Sequence, residues 1–256
     1  MQLQLAGKTA LVSGSERGTG ECIARALAAE GATVVRHSNS EAKLPAGNLA
    51  VWGDISSDSG AEQAYESAVA LVGPLDILVN NYGTAASGSW FSSTTDAWLD
   101  MYQKNALSAA RLSKLVIPDM TQRGWGRIIQ LGTIGSHQPN DIMPHYYAAK
   151  GALATMGVSL AKALANTGIT VNTISPGLIR TAEVEAGYLA KARKLHWGDT
   201  WEEILPKIVE HDYPNPSGRV AEREEVANLV AFIASPLSGF INGQNIRIDG
   251  GAVAYV

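Results

Sequence analysis

The sequence predicts an α/β fold: one doubly wound parallel sheet with helices on both faces. Short apolar runs rich in Val and Ile recur along the chain, and longer stretches with helical spacing separate most of them. Strands apolar at every position suit burial on both faces, and the intervening helices supply the crossovers that parallel pairing needs. No tandem repeat, low-complexity tract, charge block or linker-like shift divides the 256 residues. A single domain, residues 1–256, is therefore expected.

The first strand is read at residues 9–12, followed by a glycine-rich turn and a helix at 21–30. Strands at 33–35 and 49–52 come next, then a helix at 60–72 and a strand at 77–79. A long helical stretch at 97–120 leads to a strand at 128–131, and a helix at 147–166 leads to one at 169–174. The last strand is 244–248. Between Thr181 and Gly218 the strand signal stops, yet Tyr188, Trp197, Trp201 and Tyr213 fall there. Thr200 with Glu203 has capping-box spacing, and Trp201, Leu205, Ile208 and Val209 share one helical face. Pro206 is expected to end or kink that helix. Such an excursion suits a substrate lid at 182–217; an oligomer contact or ordinary packing is the other reading.

Composition narrows the function. With 46% hydrophobic and 17% charged residues the chain is not globally disordered. Twenty Lys and Arg against 24 Asp and Glu give a net charge of −4, which argues against a general affinity for nucleic acid. No apolar run approaches the roughly 18 residues of a membrane span, and the start MQLQLAGK lacks a signal peptide's basic and apolar regions. Cys22 is the only cysteine, so neither a disulfide framework nor a multi-cysteine metal site is expected, and no ligand spacing indicates a metal. The expectation is a cytoplasmic protein without nucleic-acid or membrane partners.

After the first strand comes Ser13-Gly14-Ser15-Glu16-Arg17-Gly18-Thr19-Gly20, opening into a helix. Glycines there let the backbone turn tightly and approach a pyrophosphate, which the free N–H groups and dipole of a helix start favour. The loop lacks the Gly-Lys-Ser/Thr ending of a P-loop, so a nucleoside-triphosphate hydrolase is disfavoured. Tyr146 and Lys150, at i and i+4 on one helix, are neighbours. A phenol is a poor base at its usual value of about 10, and an adjacent positive charge favours its ionised form. The pair can therefore exchange a proton with a substrate oxygen. Tyr147, at i+3 from Lys150, competes for the role.

Further motifs fall in order: Asp54-Ile55 after the third strand, Asn80-Asn81-Tyr82-Gly83 after the fourth, and Asn105 in the long helix. Tyr146-x-x-x-Lys150 opens another helix and Pro176-Gly177 follows the sixth strand, while Asn242-Gly243-Gln244 precedes a last strand ending at Asp249-Gly250-Gly251. With these motifs the chain resembles the short-chain dehydrogenase/reductase family over practically its whole length. That resemblance implies a Rossmann-type fold and an oxidoreductase interconverting a ketone and a secondary alcohol by hydride transfer with a nicotinamide cofactor.

It assigns Tyr146 as acid/base, Lys150 as the group that lowers its pKa and holds the ribose, and Asn105 as support for the proton path. Thr133, thirteen residues before Tyr146, stands where the family usually has serine; its hydroxyl can still hold a carbonyl oxygen, with an extra methyl to place. The implied cofactor contacts are Gly14, Ser15, Arg17, Gly18, Gly20, Arg36, Ser38, Asp54, Ile55, Asn81, Tyr146, Lys150, Pro176, Gly177, Ile179 and Thr181. Ser38 replaces the acidic residue that would repel a 2′-phosphate, and Arg17 and Arg36 are available to meet one, so NADP(H) is favoured over NAD(H). Tyr82 stands where alanine is usual and must find room beside the nicotinamide end or point away. Tyr82, the loop 139–144, the region of Trp90 and the lid are expected to line a pocket for a small ketone. The alternatives are a 3-oxoacyl-carrier-protein reductase, for which Arg123 and Arg127 are the nearest basic residues considered, and a dinucleotide-sensing regulator. An epimerase or dehalogenase on the same fold is a further rival. Membership also implies a homotetramer built through the two long helices.

Overall fold

The computed structural model describes residues 2–44, 47 and 49–255. Seven strands form one parallel sheet: β1 Thr9–Val12, β2 Thr33–Ser38, β3 Ala50–Trp52, β4 Ile77–Asn80, β5 Gly126–Leu131, β6 Ile169–Pro176 and β7 Asn245–Ile248. Their spatial order is β3-β2-β1-β4-β5-β6-β7. The helices are α1 Gly18–Ala29, α2 Asp58–Val72, α3 Thr95–Tyr102, α4 Ser108–Arg123, α5 Pro144–Ala163, α6 Ala182–Leu195, α7 Trp201–His211 and α8 Arg223–Ala234. No helix among the described residues is long and apolar enough to cross a membrane.

The two-residue alternation of the strands divides the core between two faces. Ala10, Val12, Ile77, Val79, Ile129 and Leu131 pack with Ile23 and Leu27 of α1 and Val226, Val230 and Ile233 of α8. Leu11, Val35, Leu78, Ile128 and Val171 pack with Ala64 and Ala68 of α2, Leu112 and Val116 of α4 and Ala161 of α5. From β1 the chain winds outward through β2 to β3, then crosses back to place β4 on the other side of β1. Successive crossovers therefore part above the carboxyl ends of β1 and β4, and a crevice opens there.

Local chemistry sets the element ends. Ser57 and Thr94 cap α2 and α3 by accepting the N–H of Gly60 and of Ala97, both at 3.2 Å. Gly124 ends α4 in the left-handed region at φ 67°. The stretch read as one helix at 97–120 is α3 and α4 joined by a π-helical turn, Gln103–Leu107, which holds the buried Asn105. Pro144 occupies the first turn of α5, where its missing N–H costs nothing. The capping box at Thr200 forms, and Trp201, Ile204 and Ile208 are the buried positions of α7. Pro206 does not end that helix as expected; it lies exposed at the middle of α7, which continues to His211. With Ala192 and Val220 these three residues form a small core separate from those of the sheet.

Candidate active site

The turn after β1 is built for close backbone approach. Gly14 and Gly18 take φ of +60° and +63°, left-handed values that favour glycine. At Gly20 an added Cβ would collide with the Gly14 carbonyl and the Asn81 amide. That amide fastens the turn, donating from Nδ2 to the carbonyls of Ser13 (3.0 Å) and Gly14 (2.9 Å).

A second layer braces the turn. The Ser15 hydroxyl donates to the Val12 carbonyl (2.7 Å) and accepts the His37 N–H (2.9 Å). His37 is fully buried; its Nδ1 accepts the Gly14 N–H (3.1 Å), so Nε2 carries the proton and donates to the Gly53 carbonyl (3.0 Å). Burial pulls this imidazole down to about 4 and keeps it neutral. Arg36 donates from Nε and Nη2 to the Ser15 carbonyl at 3.1 and 3.0 Å and pairs with Glu21. Ser15 and Arg36, expected at the cofactor, thus lie outside the cavity lining and hold the turn in place.

In front of the turn is a cavity of about 490 Å³, lined by Gly14, Arg17, Gly18, Gly20, Ser38, Asn81 and Thr181 from the expected set. Helix α1 starts here with no side-chain cap from Arg17, and nothing lies over Gly18. First-turn N–H groups without a capping side chain, on a glycine turn with open space above it, fit a pyrophosphate. Asp54 and Ile55 stand behind the lining, coupled to it through Asn39, which accepts the Ile55 N–H (2.9 Å) and donates to Asp54 Oδ1 (2.6 Å). Two charged contributors escaped the sequence reading. Lys43 lines the cavity from the short 3₁₀ turn Glu41–Lys43, and Glu183, at the start of α6, pairs with Arg17 at 3.0 Å. A cation five residues past Ser38 was the signal available for Lys43.

Tyr82 lines this cavity and not the neighbouring hollow that holds Tyr146 and Lys150. A Cβ on Gly14 would come within 2.9 Å of the Tyr82 Cα, so the two backbones are in contact. Burial, with Asp54, Asp100 and Glu16 nearby, pushes its phenol up to about 12.

A smaller hollow shares Thr19, Asn81, Gly83 and Thr84 with the first and adds Leu131, Tyr146, Lys150, Pro176 and Ile179. The Lys150 ammonium donates to the Leu131 carbonyl (2.7 Å), and burial pulls it down to about 8. Asn105 lies behind this wall: Oδ1 accepts the Thr84 N–H (3.1 Å), while Nδ2 donates to the carbonyls of Thr84 (2.9 Å) and Met101 (3.0 Å). Only glycine fits at 83, since a Cβ would stand 2.6 Å from Asn105 Oδ1 and 3.0 Å from Lys150 Nζ. Tyr146 lies beside the Thr133 side chain; burial and the neighbouring Tyr147 push its phenol up to about 12, against the opposing pull of Thr133.

Thr133 and Gly177 belong to a third cavity, again about 490 Å³, which Asn140, Tyr147, Tyr188, Asp212 and Tyr213 also line. Gly177 is obligatory there, because a Cβ would meet the Tyr213 hydroxyl, which donates to the Asp249 carbonyl (2.7 Å). The loop 139–144 and the segment 182–217 contribute to this cavity as expected, but Tyr82 and Trp90 do not. Trp90 is 68% exposed and packs with Trp98, ring centroids 5.3 Å apart.

Comparison with known proteins places this geometry. The family described as enoyl-(acyl carrier protein) reductase matches residues 14–253. An uncharacterized oxidoreductase of Bacillus subtilis (strain 168), YvaG, is 33% identical over 267 aligned positions, covering 100% of both chains. The 3-oxoacyl-(acyl-carrier-protein) reductase FabG of Escherichia coli (strain K12) is 34% identical over 252 positions, with 96% of this chain and 97% of FabG covered. The crystal structure of L-sorbose reductase from Gluconobacter frateurii, complexed with NADPH and L-sorbose, superposes over 100% of both chains with a TM-score of 0.92 at 29% identity.

Proposed function

The chain belongs to the short-chain dehydrogenase/reductase family and is an oxidoreductase of the ketoreductase kind, and from that premise we propose that it interconverts a small ketone and a secondary alcohol with NADP(H). The observation that carries this reading is the placement of the Tyr146 phenol beside the Thr133 side chain, where the second and third cavities meet, with Lys150 in the same hollow as Tyr146. When bound, the nicotinamide exchanges hydride with the substrate carbon. The Thr133 hydroxyl holds the carbonyl oxygen. Tyr146, protonated at neutral pH, donates its proton to that oxygen during reduction. In the alcohol-oxidising direction Tyr146 must first ionise, and the Lys150 ammonium favours that form. One Lys150 N–H is held by the Leu131 carbonyl, which leaves the others for the cofactor ribose. Asn105 positions the Gly83–Thr84 backbone beside them.

The preference for NADP(H) rests on Arg17 and Lys43 in the first cavity, with Ser38 in place of a carboxylate. The L-sorbose reductase complex with NADPH agrees with it. We assign residues 182–217 as the lid, since α6 and α7 carry their own core and Arg17–Glu183 ties them to the glycine turn. A homotetramer through α4 and α5 remains part of the reading on family grounds.

The likeness to FabG raises a carrier-bound acyl chain as a second reading. Against it, Arg127 is buried and donates to the carbonyls of Ser235 and Gly126, and Arg123 donates to that of Leu75. Arg123 ends α4 and Arg127 opens β5, so both lie at the amino-terminal end of β5, opposite the site. The test is an initial-rate screen of NADPH against small ketones and 3-oxoacyl thioesters. Tyr146→Phe is expected to abolish turnover and Tyr147→Phe to retain it; the opposite pattern would sink the assignment. Tight NADPH binding without turnover of any ketone would favour the sensor.

A further inference from the structure

One wall of the third cavity is made of hydrogen-bonding groups whose shared feature is the absence of positive charge. Tyr147 comes from α5, Tyr188 from α6 and Asp212 from the end of α7. The three line one cavity, and Asp212 and Tyr147 both stand near the Tyr188 phenol, which burial above all holds neutral. Asn140 lines the same cavity beside Tyr147. Asp212 is the only charged residue in the lining among the described residues, and its salt-bridge partner, Lys191, lies outside that lining.

Such a wall discriminates among ketones. An apolar substrate would take water from the Asp212 carboxylate and two phenols without replacing the lost bonds. A substrate ending in a carboxylate would find no cation in the lining to replace its lost hydration. A hydroxyl donates to a carboxylate in a charge-assisted bond and can both donate to and accept from a phenol.

We infer that the substrate is a neutral polyhydroxylated chain, a polyol and its ketone, with Asp212, Tyr188 and Tyr147 selecting the hydroxyls beyond the reacting carbon. This rests on the oxidoreductase reading above. The reaction balances: the secondary alcohol gives hydride to NADP⁺ and its hydroxyl proton to Tyr146, leaving the ketone.

The experiment compares kcat/KM with NADP⁺ for D-sorbitol, D-mannitol and xylitol against D-gluconate and cyclohexanol. It is run on the wild type, Asp212→Asn, Tyr188→Phe and Lys191→Gln. The wild type is expected to prefer a polyol. Asp212→Asn should raise KM for that polyol about ten- to a hundredfold, with a smaller change in kcat, and shrink the preference over D-gluconate. Tyr188→Phe should act in the same direction more weakly. Lys191→Gln removes the same ion pair while keeping the carboxylate, so the preference for the polyol over D-gluconate should persist. If Lys191→Gln lowers that preference as much as Asp212→Asn does, the carboxylate acts only through its ion pair and the inference fails. Wild-type turnover that favours cyclohexanol or D-gluconate and vanishes in Tyr146→Phe overturns the inference but leaves the oxidoreductase standing. Absence of turnover with every alcohol, and with every ketone in reverse, overturns both.

Discussion

Thr133 differs from the usual serine by one methyl, and its hydroxyl accepts the Gly135 N–H at 3.3 Å and faces the Tyr146 phenol. Thr133→Ser preserves both and relieves crowding, so turnover should be retained or rise. Thr133→Ala removes the group that holds the carbonyl oxygen, and kcat should fall about a hundredfold; unchanged kcat would remove Thr133 from the mechanism. His37 makes a prediction about stability. Its ordinary value is 6.5 and its folded value about 4, so the fold accepts only the neutral ring. The stability it supports is complete above pH 6.5 and is lost as pH falls through 4, up to about 3 kcal/mol. Urea denaturation from pH 7 to pH 4 should show this loss, and His37→Gln should flatten it. Residue identity alone did not locate every group. Ser15 and Arg36 belong to the glycine-turn neighbourhood, but motif spacing does not say whether a side chain points up into a crevice or down into a bracing layer. Asp212 and Lys43 reach their cavities through helix ends and a short turn whose placement depends on contacts far away in sequence.

Helices α6 and α7 form the element most directly exposed to test. In α7 the Thr200 hydroxyl accepts the Glu203 N–H at 3.4 Å while Glu203 Oε2 accepts the N–H groups of Thr200 (3.1 Å) and Asp199 (2.9 Å). Thr200→Ala should cost about 1 kcal/mol. Because α6 and α7 share a small core of their own, the change should raise the substrate KM more than it lowers the global melting temperature. A fall in melting temperature with KM unchanged would count against the lid. At the other end, Arg17 pairs with Glu183 in solvent, so Glu183→Gln should free the guanidinium and tighten NADPH binding by up to about fivefold, read by titration of nicotinamide fluorescence. Weaker binding in that variant would mean that the pair shapes the cavity. The capping box was legible at sequence level because it is a local pattern. The π turn at Gln103–Leu107 was not, since it arises where α3 and the turn itself pack on α5 and carries no composition of its own. Pro206 misled for a related reason: it forfeits one internal hydrogen bond of α7, its ring lies exposed, and the buried face of Trp201, Ile204 and Ile208 holds the helix together past it.

At the scale of the molecule, the continuous apolar runs of β1, β4 and β5 required two covered faces, and the glycine loop after β1 put the expected cofactor site at the carboxyl end of that strand. Both were readable because a parallel sheet leaves few topological choices. A crevice that binds NADPH in the folded state alone must also stabilise it. NADPH at about a hundred times its Kd should raise the melting temperature by about 5–10 °C, with NADH at equal concentration giving less. The measurement closest to the central claim is the rate of NADPH consumption with the best ketone, comparing wild type with Tyr146→Phe and Tyr147→Phe. Loss of turnover in Tyr146→Phe with NADPH binding intact, and turnover kept in Tyr147→Phe, is the predicted result. A Tyr146→Phe enzyme that turns over at the wild-type rate would contradict the account at its centre.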